Sequence, residues 1–283
     1  MSANVSPEMI AEAARAIRDA DAILIGAGAG MGVDSGMPDF RGNEGFWVAY
    51  PPLKELGLSF VQIANPSWFE RDPHLAWGFY GHRLNLYRAT TPHAGFGLLK
   101  ELCTHKSTFI FTSNVDGHFQ KAGFSSLDIE ECHGSIHHLQ CVNGMCSQLN
   151  RLIWSGEETI IDVDPATFRA KNPLPTCPLC GGLARPNVLM FNDPIWLDER
   201  STEQEKRHHA WENEIEGKVV IIECGAGTAV PSVRHHCEAL ARYRNGTLIR
   251  INVRESQGPQ GTLSFPMGAL AAISAIAEAS QAL

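Results

Sequence analysis

Long apolar runs are missing from this sequence. None approaches the roughly 20 residues that a membrane-spanning helix needs, so no span is expected. An export signal is missing as well, because Glu8, Glu12 and Arg15 interrupt the apolar positions of the N-terminal segment. Internal repeats and low-complexity tracts are absent, so no repeat architecture is expected. Positive charge is in deficit: 23 Lys and Arg stand against 31 Asp and Glu, a net charge of −8. That balance argues against a nucleic-acid partner and is compatible with a lysine-rich protein segment. Eight cysteines without an export signal point to a reducing, cytoplasmic compartment, with metal ligation or free thiols rather than disulfides.

What is present reads as an α/β protein. At 283 residues, 44% apolar and 19% charged, the chain can bury a full core. Short apolar runs bounded by turn residues occupy 22–25, 108–111, 127–129, 188–191, 219–222 and 248–251. Long helical or irregular stretches separate most of them, which predicts a parallel sheet with crossover connections. Ser6 and Pro7 form a helix start, followed by Met9, Ile10, Ala13, Ala14 and Ile17 at helical spacing. Residues 203–215, 233–243 and 268–279 also read as helices. The expected fold is a Rossmann-like sheet with helices on both faces, built from about 1–42, 93–133 and 187–283. Two excursions interrupt it. One, about 43–92, is rich in Pro and aromatic residues and reads as a helical module; the other, about 134–186, carries four clustered cysteines.

After the first apolar run, glycines alternate at Gly26, Gly28, Gly30 and Gly32. Such a loop lets backbone N–H groups approach a phosphate with no Cβ in the way. A strand, a glycine loop and a helix start together suggest a dinucleotide-binding fold. A dehydrogenase is disfavoured, because the glycines alternate and the next stretch, Met37-Pro38-Asp39-Phe40-Arg41, offers no second strand ending in an acid.

The cysteines form two pairs. Cys141 and Cys146 enclose four residues, and Cys177 and Cys180 form a C-x-x-C followed by Gly181 and Gly182. Two such pairs suit a tetrahedral thiolate zinc site, which is structural because it leaves no open position. His137 and His138 lie near enough in sequence to replace a cysteine, or are ordinary polar residues beside the site. Cys103, Cys132, Cys224 and Cys237 stand alone and read as small buried side chains.

Polar groups recur where the expected strands end. Thr112-Ser113-Asn114-Val115-Asp116-Gly117 follows one, and Glu131-Cys132-His133-Gly134-Ser135 follows another. Strand ends are where an open parallel sheet forms its ligand crevice. Among twelve histidines, His133 stands out by this position and by the glycine after it.

These motifs resemble the sirtuins, NAD-dependent protein-lysine deacylases. The stretch from Gly28 to Arg41 is similar to the family's cofactor loop, and T-S-N-V-D-G to its T-Q-N-I-D-G element. C-H-G-S resembles the element carrying the general base. The segment from Arg185 to Asp193 resembles R-P-x-V-V-x-F-G-E, and Ile251-Asn252 resembles the I-N ribose contact. Gly225-Ala226-Gly227 stands where the family has G-T-S. The matches run in family order from about Gly26 to Asn252.

The resemblance implies NAD as co-substrate and one structural zinc. Gly28, Ala29 and Gly32 would hold the diphosphate, with Asp39, Phe40 and Arg41 closing over it. Ser113, Gly225, Gly227 and Asn252 would contact the nucleosides. Asn114 and Asp116 would line the nicotinamide pocket, and His133 would act as base on the ribose hydroxyls. The products would be nicotinamide, deacylated lysine and O-acyl-ADP-ribose. A strand at Val188–Phe191 would pair with the acyl-lysine peptide. Tyr80 and Arg83, three residues apart on one helix face, offer a phenol and a guanidinium for a carboxylate. They match the Y-x-x-R of the class that removes succinyl and malonyl groups, and Phe79 precedes them as in that class. Departures at Gly32, Ser113, Ala226, Gly227 and Asn192 leave NAD hydrolysis or ADP-ribosyl transfer as alternative outcomes.

Overall fold

A computed structural model describes residues 5–38 and 42–283. Six strands form an all-parallel sheet: β1 (Ala22–Ala27), β2 (Ser107–Thr112), β3 (Ile129–Glu131), β9 (Val219–Cys224), β10 (Thr247–Ile251) and β11 (Leu263–Phe265). Their order across the sheet is β11-β10-β9-β1-β2-β3. The chain builds outward from β1 in one direction, then returns to start beside it with β9. This is the dinucleotide-binding order, and its switch point lies between β1 and β9.

Alternation along the strands divides the core in two. Ile23, Ile25, Ile110, Val220, Ile222, Ile249 and Ile251 face one side and pack with residues of the Pro7–Arg18, Ala94–Leu102 and Ala269–Gln281 helices. Ala22, Leu24, Phe109, Phe111, Val219, Ile221 and Leu248 face the other, where Val233, Cys237 and Leu240 of the Ser232–Arg244 helix meet them. Burial on both faces explains why the strands read as unbroken apolar runs. Each fully buried Ile or Leu contributes about 1.5–3 kcal/mol. The first helix begins as its sequence predicts, with Ser6 Oγ accepting from Met9 N at 3.2 Å.

The excursions share one core. β4 (Gly134–Cys141), β5 (Ile153–Ser155) and β8 (Ala184–Val188) form a three-stranded antiparallel sheet, and β6 (Val163–Asp164) pairs with β7 (Arg169–Ala170). Leu139, Ile161, Phe168 and Val188 from this part pack with Phe46, Tyr50, Trp77, Phe79 and Tyr80 from the helical part. Trp77 Nε1 also donates to the Ala184 carbonyl at 2.9 Å.

Three sequence-based boundaries move. The run at 127–129 is mostly a 3₁₀ turn, Ser126–Asp128, and the strand starts at Ile129. The strand expected at 188–191 ends at Val188 and belongs to the antiparallel sheet. Beyond it, Leu189 N donates to the His133 carbonyl and Phe191 N to the Ala64 carbonyl, both at 2.9 Å. Those amides are therefore engaged within the protein, and the strand expected at 188–191 does not extend past Val188. The helix expected after the glycine loop is a 3₁₀ helix, Ala29–Ser35.

Candidate active site

The C-terminal ends of β1, β2 and β3 open onto a cleft of about 500 Å³. Ala29 and Gly32 form its wall beyond β1; Ser113, Asn114 and Asp116 beyond β2; and His133 beyond β3. Tyr80 and Arg83 enter from the helical part, Val188 from the end of β8 and Phe191 from the segment after it. The fold thus brings these candidates together from separate stretches of chain. Asp39, Phe40 and Arg41 lie outside the described residues.

Gly28 and Gly225 act behind the cleft wall. Gly28 N donates to the Cys224 carbonyl and Gly30 N to the Gly225 carbonyl, both at 3.0 Å. The Gly28 amide thereby joins β1 to β9 across the switch point. Gly225 has φ +65°, and a Cβ there would stand 2.3 Å from the Gly30 carbonyl carbon. Only glycine allows this approach. Asn252 ties the same loop down: its Nδ2 donates to the Ala226 carbonyl at 2.7 Å and its Oδ1 accepts from Arg254 N and Glu255 N. Gly227 and Asn252 lie at the β9 and β10 ends, outside the cleft lining itself.

Asn114 is held in two ways. Its amide donates to Thr112 Oγ1 and its Nδ2 to the Gly28 carbonyl, each at 3.0 Å. Asp116 Oδ1 accepts from His118 N at 2.9 Å, and its carbonyl lies 2.8 Å from His137 Nε2. His137 therefore supports this loop.

His133 follows β3, and its Nε2 lies 3.3 Å from Ser232 Oγ. Burial holds its pKa below the ordinary value, which keeps the imidazole neutral and able to accept a proton at neutral pH. The glycine after it is required, since Gly134 has φ +77° and a Cβ would meet the Asn187 carbonyl oxygen at 2.2 Å. Cys132 is a poor nucleophile, because burial pushes its thiol pKa up.

At the helical end, the Arg83 guanidinium carbon lies 5.3–5.9 Å from the ring centroids of Phe60, Phe79, Tyr80 and Tyr87. Its Nε donates to the Tyr87 hydroxyl at 2.8 Å. The Tyr80 hydroxyl is buried with no hydrogen-bond partner, and burial pushes its pKa up to about 12. A neutral phenol and a guanidinium on one wall are suited to an acceptor group such as a carboxylate.

Sequence reasoning missed several lining residues, among them Met37, Phe60, Ala64, Tyr87 and Val230. Tyr87 could have been found as the i+4 neighbour of Arg83. It also missed the pair that shapes the wall near Phe191. Arg185 Nη1 donates to Asp193 Oδ1 at 3.0 Å, both side chains are fully buried, and Met190 N reaches the same carboxylate.

The cysteine cluster lies apart from the cleft. Cys141 Sγ is 3.6 Å from Cys180 Sγ, Cys146 Sγ is 3.9 Å from Cys177 Sγ, and all four sulfurs lie within 4.8 Å of one another. Four thiolates around a tetrahedral zinc at about 2.3 Å would stand about 3.8 Å apart, so the set fits. Burial opposes the Cys177 thiolate, yet the backbone N–H groups of Cys180 and Leu179 hold its pKa at about 7. The ion would join β4, the helix after it and the C-x-x-C turn; His137 and His138 are not in the cluster.

A Sir2 family model matches residues 28–230. The chain is 30% identical over 251 residues to an NAD-dependent protein deacylase of Thermococcus kodakarensis, covering 88% of this chain and 86% of that protein. It is 33% identical over 169 residues to an NAD-dependent protein deacetylase of Saccharolobus solfataricus, covering 59% of each. Among solved structures, a Sir2 homologue–NAD complex superposes with a TM-score of 0.71 at 21% identity, covering 99% of this chain and 96% of that one. An ADP-ribose complex of a Sir2 homologue gives 0.71 at 22% identity, covering 96% of both. At these identities, the likeness to solved structures concerns the fold.

Proposed function

This chain belongs to the Sir2 family, and on that footing we propose that it is an NAD-dependent protein-lysine deacylase. The observation that carries this reading is the meeting of Asn114, Asp116 and His133 in one cleft beside the switch point. When bound, NAD would supply the ribose carbon to which the acyl oxygen adds as nicotinamide leaves. Asn114 and Asp116 would orient the carboxamide end. His133, half-buried and kept neutral by that burial, would take a proton from a ribose hydroxyl. Closure of the cleft against Phe191, Val188 and the aromatic wall would exclude water.

Acetyl-lysine is the simplest substrate for this site. Tyr80 and Arg83 support the further reading that succinyl- or malonyl-lysine is also accepted, with its terminal carboxylate between phenol and guanidinium. Zinc would hold the β4–β5–β8 part together without touching the reaction.

One departure favours a second reading, NAD hydrolysis or ADP-ribosyl transfer. A Cβ at Gly32 would come within 3.2 Å of Met37 Cγ, so Met37 fills the space beside a position where the family resemblance implies a serine. Nicotinamide release with and without an acyl-lysine peptide separates the two. Release that depends on the peptide supports the deacylase; equal release without it supports hydrolysis.

A further inference from the structure

Outside the cleft, two helices bring together a second set of metal-type donors. His208 and Glu212 stand one turn apart on the Glu199–Glu214 helix, and His236 comes from the Ser232–Arg244 helix. Their donor atoms lie within 4.8 Å of one another. His208 Nε2 is 3.7 Å and His236 Nε2 3.3 Å from the same Glu212 oxygen. Nitrogen and oxygen donors at about 2.0–2.1 Å from a tetrahedral ion stand about 3.3 Å apart, so small side-chain adjustments complete the shell.

Hydrogen bonding leaves the set open to an ion. His208 Nδ1 lies 2.6 Å from Glu130 Oε2, and a carboxylate oxygen only accepts, so this ring nitrogen donates. In the neutral ring the lone pair is then on Nε2, which is buried and has no hydrogen-bond partner; the side chain is 1% exposed. His236 Nε2 meets Glu212 Oε1 at 3.3 Å, with its side chain 23% exposed. For His208, a buried Nε2 without a hydrogen bond 3.7 Å from a carboxylate oxygen is unfavourable unless a proton or a metal cation lies between them. The rings are fixed by stacking: His208 on Phe109 at 4.6 Å and 3°, and His236 on Phe111 at 4.3 Å and 26°.

We propose that His208, Glu212 and His236 form a second divalent-cation site, with Glu130 orienting His208 from behind. A carboxylate holding the far nitrogen of a ligand histidine is the usual support for such a site. Two imidazoles and one carboxylate select zinc-like ions over calcium or magnesium. A cavity of about 350 Å³, lined in part by Cys132, Trp196 and Ser201, adjoins the two histidines. It gives the ion an open position for water, unlike the closed thiolate set.

The test is zinc content of the full chain after equilibration with low-micromolar Zn²⁺. Wild type is expected to hold one more zinc per chain than His236→Gln or Glu212→Gln. Equal zinc in wild type and folded variants overturns the proposal. A wild-type measurement guards against variants that fail to fold. Added Co²⁺ should shift the ring resonances of His208 and His236, and unshifted resonances also overturn the proposal.

Discussion

The His133 imidazole and the Ser232 hydroxyl approach to 3.3 Å. The base proposed at the end of β3 is thus met by a side chain from the helix that follows β9, across the sheet's switch point. The burial around His133 sets the acid behaviour expected of the enzyme. A lowered pKa means that the base is protonated, and lost, only at a pH below the free-histidine value of 6.5. The acid limb of kcat/KM should therefore fall below that value, and a limb above it contradicts the assignment. His133→Ala is expected to lower kcat by about 10²–10⁴-fold.

Arg83→Met tests the carboxylate clamp. The guanidinium stands among four aromatic rings on the cleft wall, beside the buried Tyr80 hydroxyl. Desuccinylation should fall at least about 10-fold more than deacetylation, since a charge-assisted pair is lost for one substrate only. Steady-state kinetics with matched peptides checks this, and equal losses rule the clamp out.

Gly225→Ala tests the interlocked loops. The residue holds φ +65°, and an added Cβ would press on the Gly30 and Met31 backbone at 2.3 Å. Strain of about 1–3 kcal/mol is expected. Urea denaturation should show the loss, together with a raised KM for NAD. Unchanged stability would mean that the two loops do not lock together.

Removing the zinc should loosen more than the cysteine turns, because β4, β8 and the helical part share one core. Trp77, bonded to the Ala184 carbonyl, reports on that core. Cys177→Ser is expected to lose the ion and red-shift tryptophan fluorescence, since structural zinc binding contributes directly to folding. Fluorescence like that of wild type in a zinc-free variant would contradict this role.

Much of the parallel sheet was legible because strands buried on both faces leave unbroken apolar runs, as at Ile23–Leu24–Ile25 and Val219–Val220–Ile221. The strand-end motifs were legible for the same reason: each follows such a run. β4 was not, since only Ile136 and Leu139 are large and apolar among its first six residues, and its pairing with β8 crosses an irregular register. The run from Val188 to Phe191 misled because composition continues where the ladder stops. Asn192 then turns the chain with φ +55°, a left-handed conformation open to Asn and Gly, which accounts for Asn where the resembling motif has glycine. His208 and Glu212 were visible at i,i+4, but His236 joins them only through the packing of two helices.

The central claim is acyl transfer dependent on His133. Its most direct test is mass spectrometry of the purified protein with NAD and two matched lysine peptides, one acetylated and one succinylated, beside His133→Ala. The account predicts loss of acyl mass from the peptide and appearance of O-acyl-ADP-ribose, both abolished in the variant. Nicotinamide release with the acyl groups left in place would contradict it.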